Sequence, residues 1–219
     1  MKAVIVAGGE PLPADKAQLV GADLLVAADA GARWLIEAEA TPDLLVGDLD
    51  SIPADVLAEL EAAGIPIEQH ARDKDASDAE LAVDRAVAGG ADQVVMIGAL
   101  GGERLDHELA NLLLLAGPTW PATLTDLSIV RGGTRVRALH GGGWLELNGA
   151  VGDLVTLLPL AGDAEGVRTE GLRYPLRGEA LRFGRSRGLS NVVERAPGWV
   201  SLERGTLLVI EISGEGESR

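Results

Sequence analysis

The chain has 219 residues, of which 47% are hydrophobic and 24% charged, a composition typical of a folded globular protein. It contains no cysteine, which excludes disulfide bonds, thiolate nucleophiles and cysteine-based zinc sites. The formal net charge of −15 argues against nucleic acid and membranes as partners, since nucleic acid and anionic membrane surfaces both require a cationic face. No apolar run is long enough to span a membrane, and the apolar N-terminal stretch is too short for a signal peptide, so we expect a cytoplasmic protein.

The charge is distributed unevenly along the chain. Residues 1–120 contain seven Lys or Arg and 22 Asp or Glu, whereas residues 121–219 contain twelve of each. This shift predicts two domains, 1–120 and 121–219, with a border near Pro118 or Pro121. The alternative is a single domain with an uneven surface charge.

Short apolar runs alternate with helical patterns through the first 120 residues. Each predicted strand is rich in Val, Leu or Ile and is bounded by Gly, Pro or Asp. The predicted strands are 3–7, 24–28, 44–47, 65–68 and 93–97, and the predicted helices are 31–39, 53–63, 77–88 and 104–116. This alternation indicates an α/β domain with a mostly parallel sheet, in which ligands bind beyond the carboxyl ends of the strands.

The remainder of the chain has a different pattern. The segments 144–147, 154–158 and 206–212 are short, often alternate between apolar and polar residues, and are separated by glycine-rich turns. They predict an antiparallel β domain, either a sandwich or a small roll. The expected fold class is therefore α/β, with a mostly parallel N-terminal α/β domain and a C-terminal antiparallel β-sandwich domain.

Aspartates follow the predicted strands of the first domain. Asp29 comes after the second strand, Asp48 and Asp50 after the third, and Asp78 at the start of the helix after the fourth. Each could be a turn residue, a helix cap or a first-turn acid that favours the helix dipole. In an extended segment, however, Asp48 and Asp50 point the same way. Several carboxylates on one rim repel one another and favour a hard cation, Mg²⁺ before Zn²⁺.

The few cations of this domain lie beside the aspartates. Arg72, Lys74 and Arg104 have the chemistry that binds phosphate oxygens. Gly98, Gly101 and Gly102 leave backbone N–H groups free near a helix N-terminus, where phosphate binds readily, although the pattern is neither Walker A nor GxGxxG. His107 and Asn111 are four residues apart on one helix face, so His107 could serve the site or be a structural residue.

Six motifs in order resemble the thiamine pyrophosphokinase family, and the resemblance covers nearly the whole chain. They are Ala28-Asp-Ala-Gly, Gly47-Asp-Leu-Asp-Ser51, Lys74-Asp-Ala-Ser-Asp78, Gly98 to Asn111 with Gly-Gly-Glu-Arg-Leu-Asp-His, Thr169-Glu-Gly-Leu-Arg-Tyr-Pro-Leu176, and Ser190-Asn191. The fourth motif departs from the family pattern, because Glu103 is inserted before Arg104. The third has Ser77 where the family has Thr.

The resemblance implies a homodimer that transfers the pyrophosphoryl group of ATP to the hydroxyl of thiamine, with Mg²⁺, giving thiamine diphosphate and AMP. It implies that Asp48, Asp50 and Asp78 hold the metal with Asp29 nearby, and that Lys74 and Arg104 neutralise phosphate oxygens. Asp106 would order Arg104 or bind metal-bound water. In the second domain, the resemblance assigns Tyr174, Ser190 and Asn191 to thiamine, near the dimer interface. With Gly101, Gly102 and His107, these residues complete the expected site.

Two other classes of function fit part of the same pattern. Asp-x-Asp after a strand also serves metal-dependent glycosyltransferases and phosphohydrolases. A hydrolase with a nucleophilic Asp needs a later Lys, and no Lys follows Lys74. A nucleotide- or thiamine-binding sensor on the same fold is the non-enzymatic alternative.

Overall fold

The computed structural model describes residues 1–117 and 120–214, which form two compact units, Met1–Gly132 and a second that begins at Gly133. The division therefore falls later than the predicted border at residue 120. The reason is a strand at Asp126–Arg131, which pairs in parallel with the strand Gln93–Ile97 and extends the sheet of the first unit. Pro118 lies outside the described residues.

The first unit is a parallel sheet with helices. Its strands lie in the order β4-β3-β2-β1-β5-β6, and every pairing between them is parallel. The strands are β1 Lys2–Val6, β2 Leu24–Ala28, β3 Leu44–Gly47, β4 Ile67–Gln69, β5 Gln93–Ile97 and β6 Asp126–Arg131. The helices are a 3-10 helix at Pro13–Leu19, α1 Gly31–Glu37, α2 Ala54–Ala62, α3 Asp78–Ala88 and α4 Leu105–Leu115.

Burial explains why these segments form strands. In β1, β2, β3 and β5 every residue after the first is buried, as expected for a sheet covered on both faces. Val4, Ala27, Leu45 and Ile97 belong to one apolar cluster with residues of α1 and α2. The parallel direction then brings the segments that follow β1, β2, β3 and β5 to one edge of the sheet.

The second unit is antiparallel throughout. Its strands are β7 Thr134–His140, β8 Trp144–Leu147, β9 Leu154–Glu170, β10 Arg177–Leu181, β11 Asn191–Val192, β12 Gly198–Ser201 and β13 Arg204–Ile212. The first half of β9 pairs with β13, and its second half pairs with β10 and β12. The two sheets that share β9 enclose a core that includes Leu157, Val167, Val200 and Leu207. The predicted fold class is confirmed.

A buried ion pair connects three parts of the second unit. The Nη2 atom of Arg137 lies 2.5 Å from Oε1 of Glu211, and both side chains are at least nine-tenths buried. The other carboxylate oxygen of Glu211 accepts hydrogen bonds from the backbone N–H groups of Asn148 and Gly149. Arg137 Nη2 also donates to the backbone carbonyl of Glu146. The pair therefore holds β7, β13 and the end of β8 in register.

Sequence analysis missed several elements. The 3-10 helix, β6, β7, β10, β11 and β12 had no predicted counterpart, and β9 is far longer than the predicted 154–158. Among the described residues, no helix is both long and apolar enough to cross a membrane.

Candidate functional site

A cleft of about 690 Å³ lies in the first unit at the edge where the parallel strands end. Its wall is built from the loops after β1, β2, β3 and β5 and from the first turns of α3 and α4. Of the site residues predicted in this unit, all except Asp50 line the cleft. They are Asp29, Asp48, Lys74, Asp78, Gly101, Gly102, Arg104, Asp106 and His107.

Three carboxylates meet in this cleft. Asp29 directly follows β2, Asp48 directly follows β3, and Asp78 is the first residue of α3. One oxygen from each lies within 4.8 Å of the others. Asp29 is held in the left-handed region at φ 46°, where Asp is more tolerant than most residues. The parallel sheet and the start of α3 thus bring together side chains that are up to 49 residues apart in the sequence.

The surroundings of Asp29 and Asp48 shift the pKa values of these two carboxylates in opposite directions. Burial raises the pKa of Asp29, and the neighbouring carboxylates of Asp78 and Asp48 raise it further. The Asp29 Oδ1 atom is buried and has no hydrogen-bond partner among the described residues. The pKa of Asp48 is lowered, first by the backbone N–H of Asp50 and then by the Lys74 ammonium. Asp29 is therefore the carboxylate whose charge is least satisfied by the protein.

Lys74 supplies the positive charge nearest to the group. Its Nζ atom lies 3.1 Å from Oδ1 of Asp78 and 3.7 Å from Oδ2 of Asp48, and its side chain is only 16% exposed. Ser77 begins α3 as its N-cap, accepting a hydrogen bond from the backbone N–H of Glu80. The cap and the ion pair together fix the first turn of α3, and with it the position of Asp78.

The three carboxylates fit a hard divalent cation. They offer only oxygen ligands, lie close enough to share one ion, and include an oxygen that the protein leaves without a hydrogen bond. One lysine does not balance three carboxylates that close together. Oxygen donors without cysteine or histidine match the preference of Mg²⁺.

Asp50 is the predicted metal ligand that the structure does not bring into this group. Its side chain accepts a hydrogen bond from Ser51 Oγ and lies 3.4 Å from the guanidinium of Arg72. The intervening Leu49 has a left-handed φ of 69°, so the segment is not extended and the two aspartates do not alternate as in a strand. Its assignment as a metal ligand stays a prediction.

The glycine-rich loop after β5 lines the same cleft as the carboxylates. Gly101 and Gly102 adopt positive φ values of 84° and 103°, which glycine tolerates best. The loop is tied to α4 because the buried Asn111 donates a hydrogen bond from Nδ2 to the carbonyl of Ala99. Asn111 is thus a structural support for the loop.

Sequence analysis missed the glycine pair that follows β1. The backbone N–H of Gly9 donates to the carbonyl of Gly98, and a Cβ at Gly9 would lie only 2.5 Å from that carbonyl oxygen. Only glycine therefore lets the loops after β1 and β5 approach so closely. The signal was present as Gly8-Gly9 immediately after a buried strand.

Arg104 and Asp106 form a bidentate pair at the start of α4. The Nε and Nη2 atoms of Arg104 donate to the two carboxylate oxygens of Asp106 at 2.9 and 2.7 Å. This pairing holds the pKa of Asp106 well below its usual range. The pairing is the contact by which Asp106 would order Arg104, and the role of Asp106 at the site stays a prediction. The next residue, His107, is exposed at the mouth of the cleft.

The three residues that the resemblance assigned to thiamine lie together in the second unit. The Asn191 side chain brackets the backbone of Tyr174, accepting from its N–H and donating to its carbonyl. Ser190 precedes Asn191 with a φ of 55°, and its N–H donates to Oγ1 of Thr156. The Tyr174 side chain is 64% exposed. An aromatic ring held at the surface by its backbone is suited to contact a ligand.

Comparison with known proteins agrees with both units. Residues 16–122 match the family model described as thiamin pyrophosphokinase, catalytic domain. Residues 145–207 match the model described as thiamin pyrophosphokinase, vitamin B1 binding domain. Together the two matches cover more than three quarters of the chain.

Individual relatives extend over nearly the same length. The chain is 26% identical to a thiamine pyrophosphokinase of Bacillus subtilis over 85% of this chain and 86% of that one. The crystal structure of thiamin pyrophosphokinase from Geobacillus thermodenitrificans is similar at 28% identity, with a TM-score of 0.82 and 99% of each chain covered. That from Bacillus subtilis has a TM-score of 0.86 at 24% identity, covering 98% of this chain and all of the other. The chain therefore belongs to the thiamin pyrophosphokinase family and is an enzyme of that family.

Proposed function

We propose that the protein transfers the pyrophosphoryl group of ATP to the hydroxyl of thiamine, giving thiamine diphosphate and AMP, and that the reaction depends on Mg²⁺. The observation that carries this proposal is that the group of three carboxylates and a glycine loop line one cleft. The names of the relatives give the substrate, and the membership in their family supports the same reaction here.

Asp29, Asp48 and Asp78 are the residues that would hold the metal. Bound there, Mg²⁺ supplies positive charge against the polyphosphate oxygens. The protein contributes a cluster whose charge is not neutralised by its own lysine. Asp50 remains an additional candidate ligand, since its exposed side chain lies only two residues from Asp48.

The polyphosphate would lie against the glycine loop and the two cations. The start of α4 offers backbone N–H groups, and a helix N-terminus of this kind binds phosphate favourably. Arg104, held as a planar fork by Asp106, presents its remaining N–H groups, and Lys74 offers a point charge. Phosphoryl transfer needs mainly such positioning and charge neutralisation, which these groups supply without a covalent intermediate on the protein.

The thiamine hydroxyl must lose a proton as it attacks phosphorus. The carboxylates of the cleft are the protein groups placed to accept that proton. In the second unit, Tyr174 would stack against the cationic thiamine, with polar contacts from Ser190 and Asn191. We further propose that the protein is a homodimer whose active site lies near the subunit interface. We also propose that it is cytoplasmic.

A product assay tests the proposal. The protein is incubated with ATP, Mg²⁺ and thiamine, and the nucleotides and thiamine esters are separated chromatographically. We expect AMP and thiamine diphosphate in equal amounts, and a loss of at least a hundredfold in turnover for Asp78→Asn, as is typical when a charge-stabilising group is removed. The matched control is Asp84→Asn on the exposed face of the same helix, which should retain full turnover.

Other product patterns would contradict the proposal. ADP with thiamine monophosphate would mean transfer of a single phosphoryl group. Binding of both substrates without any AMP would indicate a sensor, and phosphate release without thiamine ester would indicate a hydrolase. Full activity in excess EDTA would contradict the metal dependence, and a fully active monomer by light scattering would contradict the shared site.

A further inference from the structure

A second cavity, of about 490 Å³, lies in the unit that begins at Gly133. It stands over the face of β12 and the end of β9 that looks away from the core. Trp199 on β12 pairs across the strands with Glu170 on β9, whereas the next residue, Val200, points inward and is fully buried. None of the residues assigned above to ATP, metal or thiamine lines this cavity.

Glu170 fixes one wall of the cavity. One of its carboxylate oxygens accepts a hydrogen bond from the indole Nε1 of Trp199 at 3.1 Å, and the other pairs with the Nη2 atom of Arg195 at 2.7 Å. The loop that carries Arg195 is itself fastened, because the N–H of Arg195 donates to the carbonyl of Gly171. The indole ring and the guanidinium are therefore held in place before any ligand arrives.

Two further arginines, Arg168 and Arg177, line this cavity, and of the two only Arg168 is paired with a carboxylate of the described residues. Arg168 is the partner of Arg177 across the strands and donates from Nη1 to its carbonyl, and the Nη2 atom of Arg168 lies 3.9 Å from Oε1 of Glu203. The Arg177 guanidinium forms no ion pair with any described residue. Arg195 pairs with Glu170, and the lining as a whole has three arginines and two glutamates. A guanidinium without a carboxylate partner is a ready contact for an anion.

We propose that this cavity binds a small aromatic phosphate ester, with the ring against Trp199 and the phosphate on Arg168 and Arg177. Tryptophan gives a flat apolar surface for a ring, and guanidinium groups bind phosphate oxygens in a fixed fork. The volume suits a molecule of nucleotide size. The site is argued from its own residues, whereas the choice of ligands rests on the proposed function, whose two products have this chemistry. AMP and thiamine diphosphate both have this chemistry, so either could be the occupant.

Calorimetric titration of the full chain in EDTA tests this site, with AMP, thiamine diphosphate, inorganic phosphate and adenosine as separate probes. We expect AMP or thiamine diphosphate to bind more tightly than phosphate or adenosine alone. Arg177→Gln should weaken that binding about tenfold, as expected for loss of one charge-assisted contact. Arg185→Gln, an exposed arginine of the same unit outside the cavity, is the matched control and should leave the affinity unchanged.

A second pair of variants separates this site from the cleft. Trp199→Leu should abolish the preference for AMP over inorganic phosphate, and Arg177→Gln should leave kcat with ATP and thiamine at the wild-type value. Equal affinities in wild type and Arg177→Gln would overturn the proposal, as would no saturable binding of any probe. Should Arg177→Gln unfold, which circular dichroism would show, Arg168→Gln provides the same comparison.

Discussion

Replacing Asp29 by Asn removes one of three carboxylates that the fold holds together without enough positive charge. Two unit charges 4.8 Å apart repel by about 3.5 kcal/mol at an effective dielectric constant of 20, and Asp29 has two such neighbours. Lys74 offsets much of this repulsion, because its ammonium lies 3.1 Å from Asp78 and 3.7 Å from Asp48. We therefore expect Asp29→Asn to stabilise the metal-free protein by about 1 kcal/mol, a rise of about 2–4 °C in Tm for a chain of this size.

Asn is a well-matched substitution at this position. It has the same shape as Asp, it tolerates the left-handed backbone that Asp29 adopts, and its amide can donate to the remaining carboxylates. The measurement is thermal unfolding in EDTA and again in excess Mg²⁺. The wild type should gain stability from Mg²⁺, and Asp29→Asn should gain much less, since one ligand has become neutral.

The control is Asp84→Asn, which removes the same charge from an exposed position on α3 and should change Tm by less than about 1 °C in either buffer. A lower Tm for Asp29→Asn than for wild type in EDTA would refute the reasoning, because the carboxylates would then not be in electrostatic conflict. An unchanged Mg²⁺ response would remove Asp29 from the metal site.

Three further predictions concern residues that support the fold or the site. Asn111→Ala should raise the KM for ATP severalfold in the product assay while reducing stability by about 1–2 kcal/mol in urea, since it frees the loop after β5. Arg137→Met should destabilise the protein by about 3–5 kcal/mol in the same denaturation experiment, because it leaves the buried charge of Glu211 without a partner. Adding Glu211→Gln removes that charge and should recover part of the lost stability. The pKa of Asp163 is lowered, chiefly because its carboxylate accepts a hydrogen bond from the Phe183 N–H. Wild type should therefore be more stable than Asp163→Asn above pH 3.8, and this difference should disappear as the pH falls below that value. Urea denaturation at a series of pH values measures the difference.

The parallel half of the fold could be predicted from the sequence because its strands are buried on both faces. A continuous apolar run bounded by Gly, Pro or Asp marks such a strand, and the predicted bounds 24–28, 44–47 and 93–97 are those of β2, β3 and β5. The helices between them also carry clear starts, such as Ser77 at the N-cap of α3. The order of these elements also predicts that Asp29, Asp48 and Asp78 lie at one edge of the parallel sheet.

The antiparallel half could not be predicted to the same extent because β9 serves two sheets. Its residues pair first with β13 and then with β10 and β12, and its burial pattern does not alternate strictly, since Val155, Thr156 and Leu157 are buried in succession. Ala161 and Gly162 adopt positive φ values within this strand, so the local sequence reads as a turn. The partners that keep the strand continuous are distant in the chain, and a local pattern cannot show them.

The candidate metal site could also be predicted only in part, and the reason is a single backbone angle. The prediction that Asp48 and Asp50 act together assumed an extended segment, in which residues two apart point the same way. Leu49 instead has a φ of 69°, a conformation that its side chain gives no reason to expect. This turn directs Asp50 toward Arg72, and the third carboxylate of the group comes from Asp29. We therefore expect most of the Mg²⁺-dependent stabilisation to be lost in Asp29→Asn and retained in Asp50→Asn. The opposite order would mean that the ion draws Asp50 into the cleft.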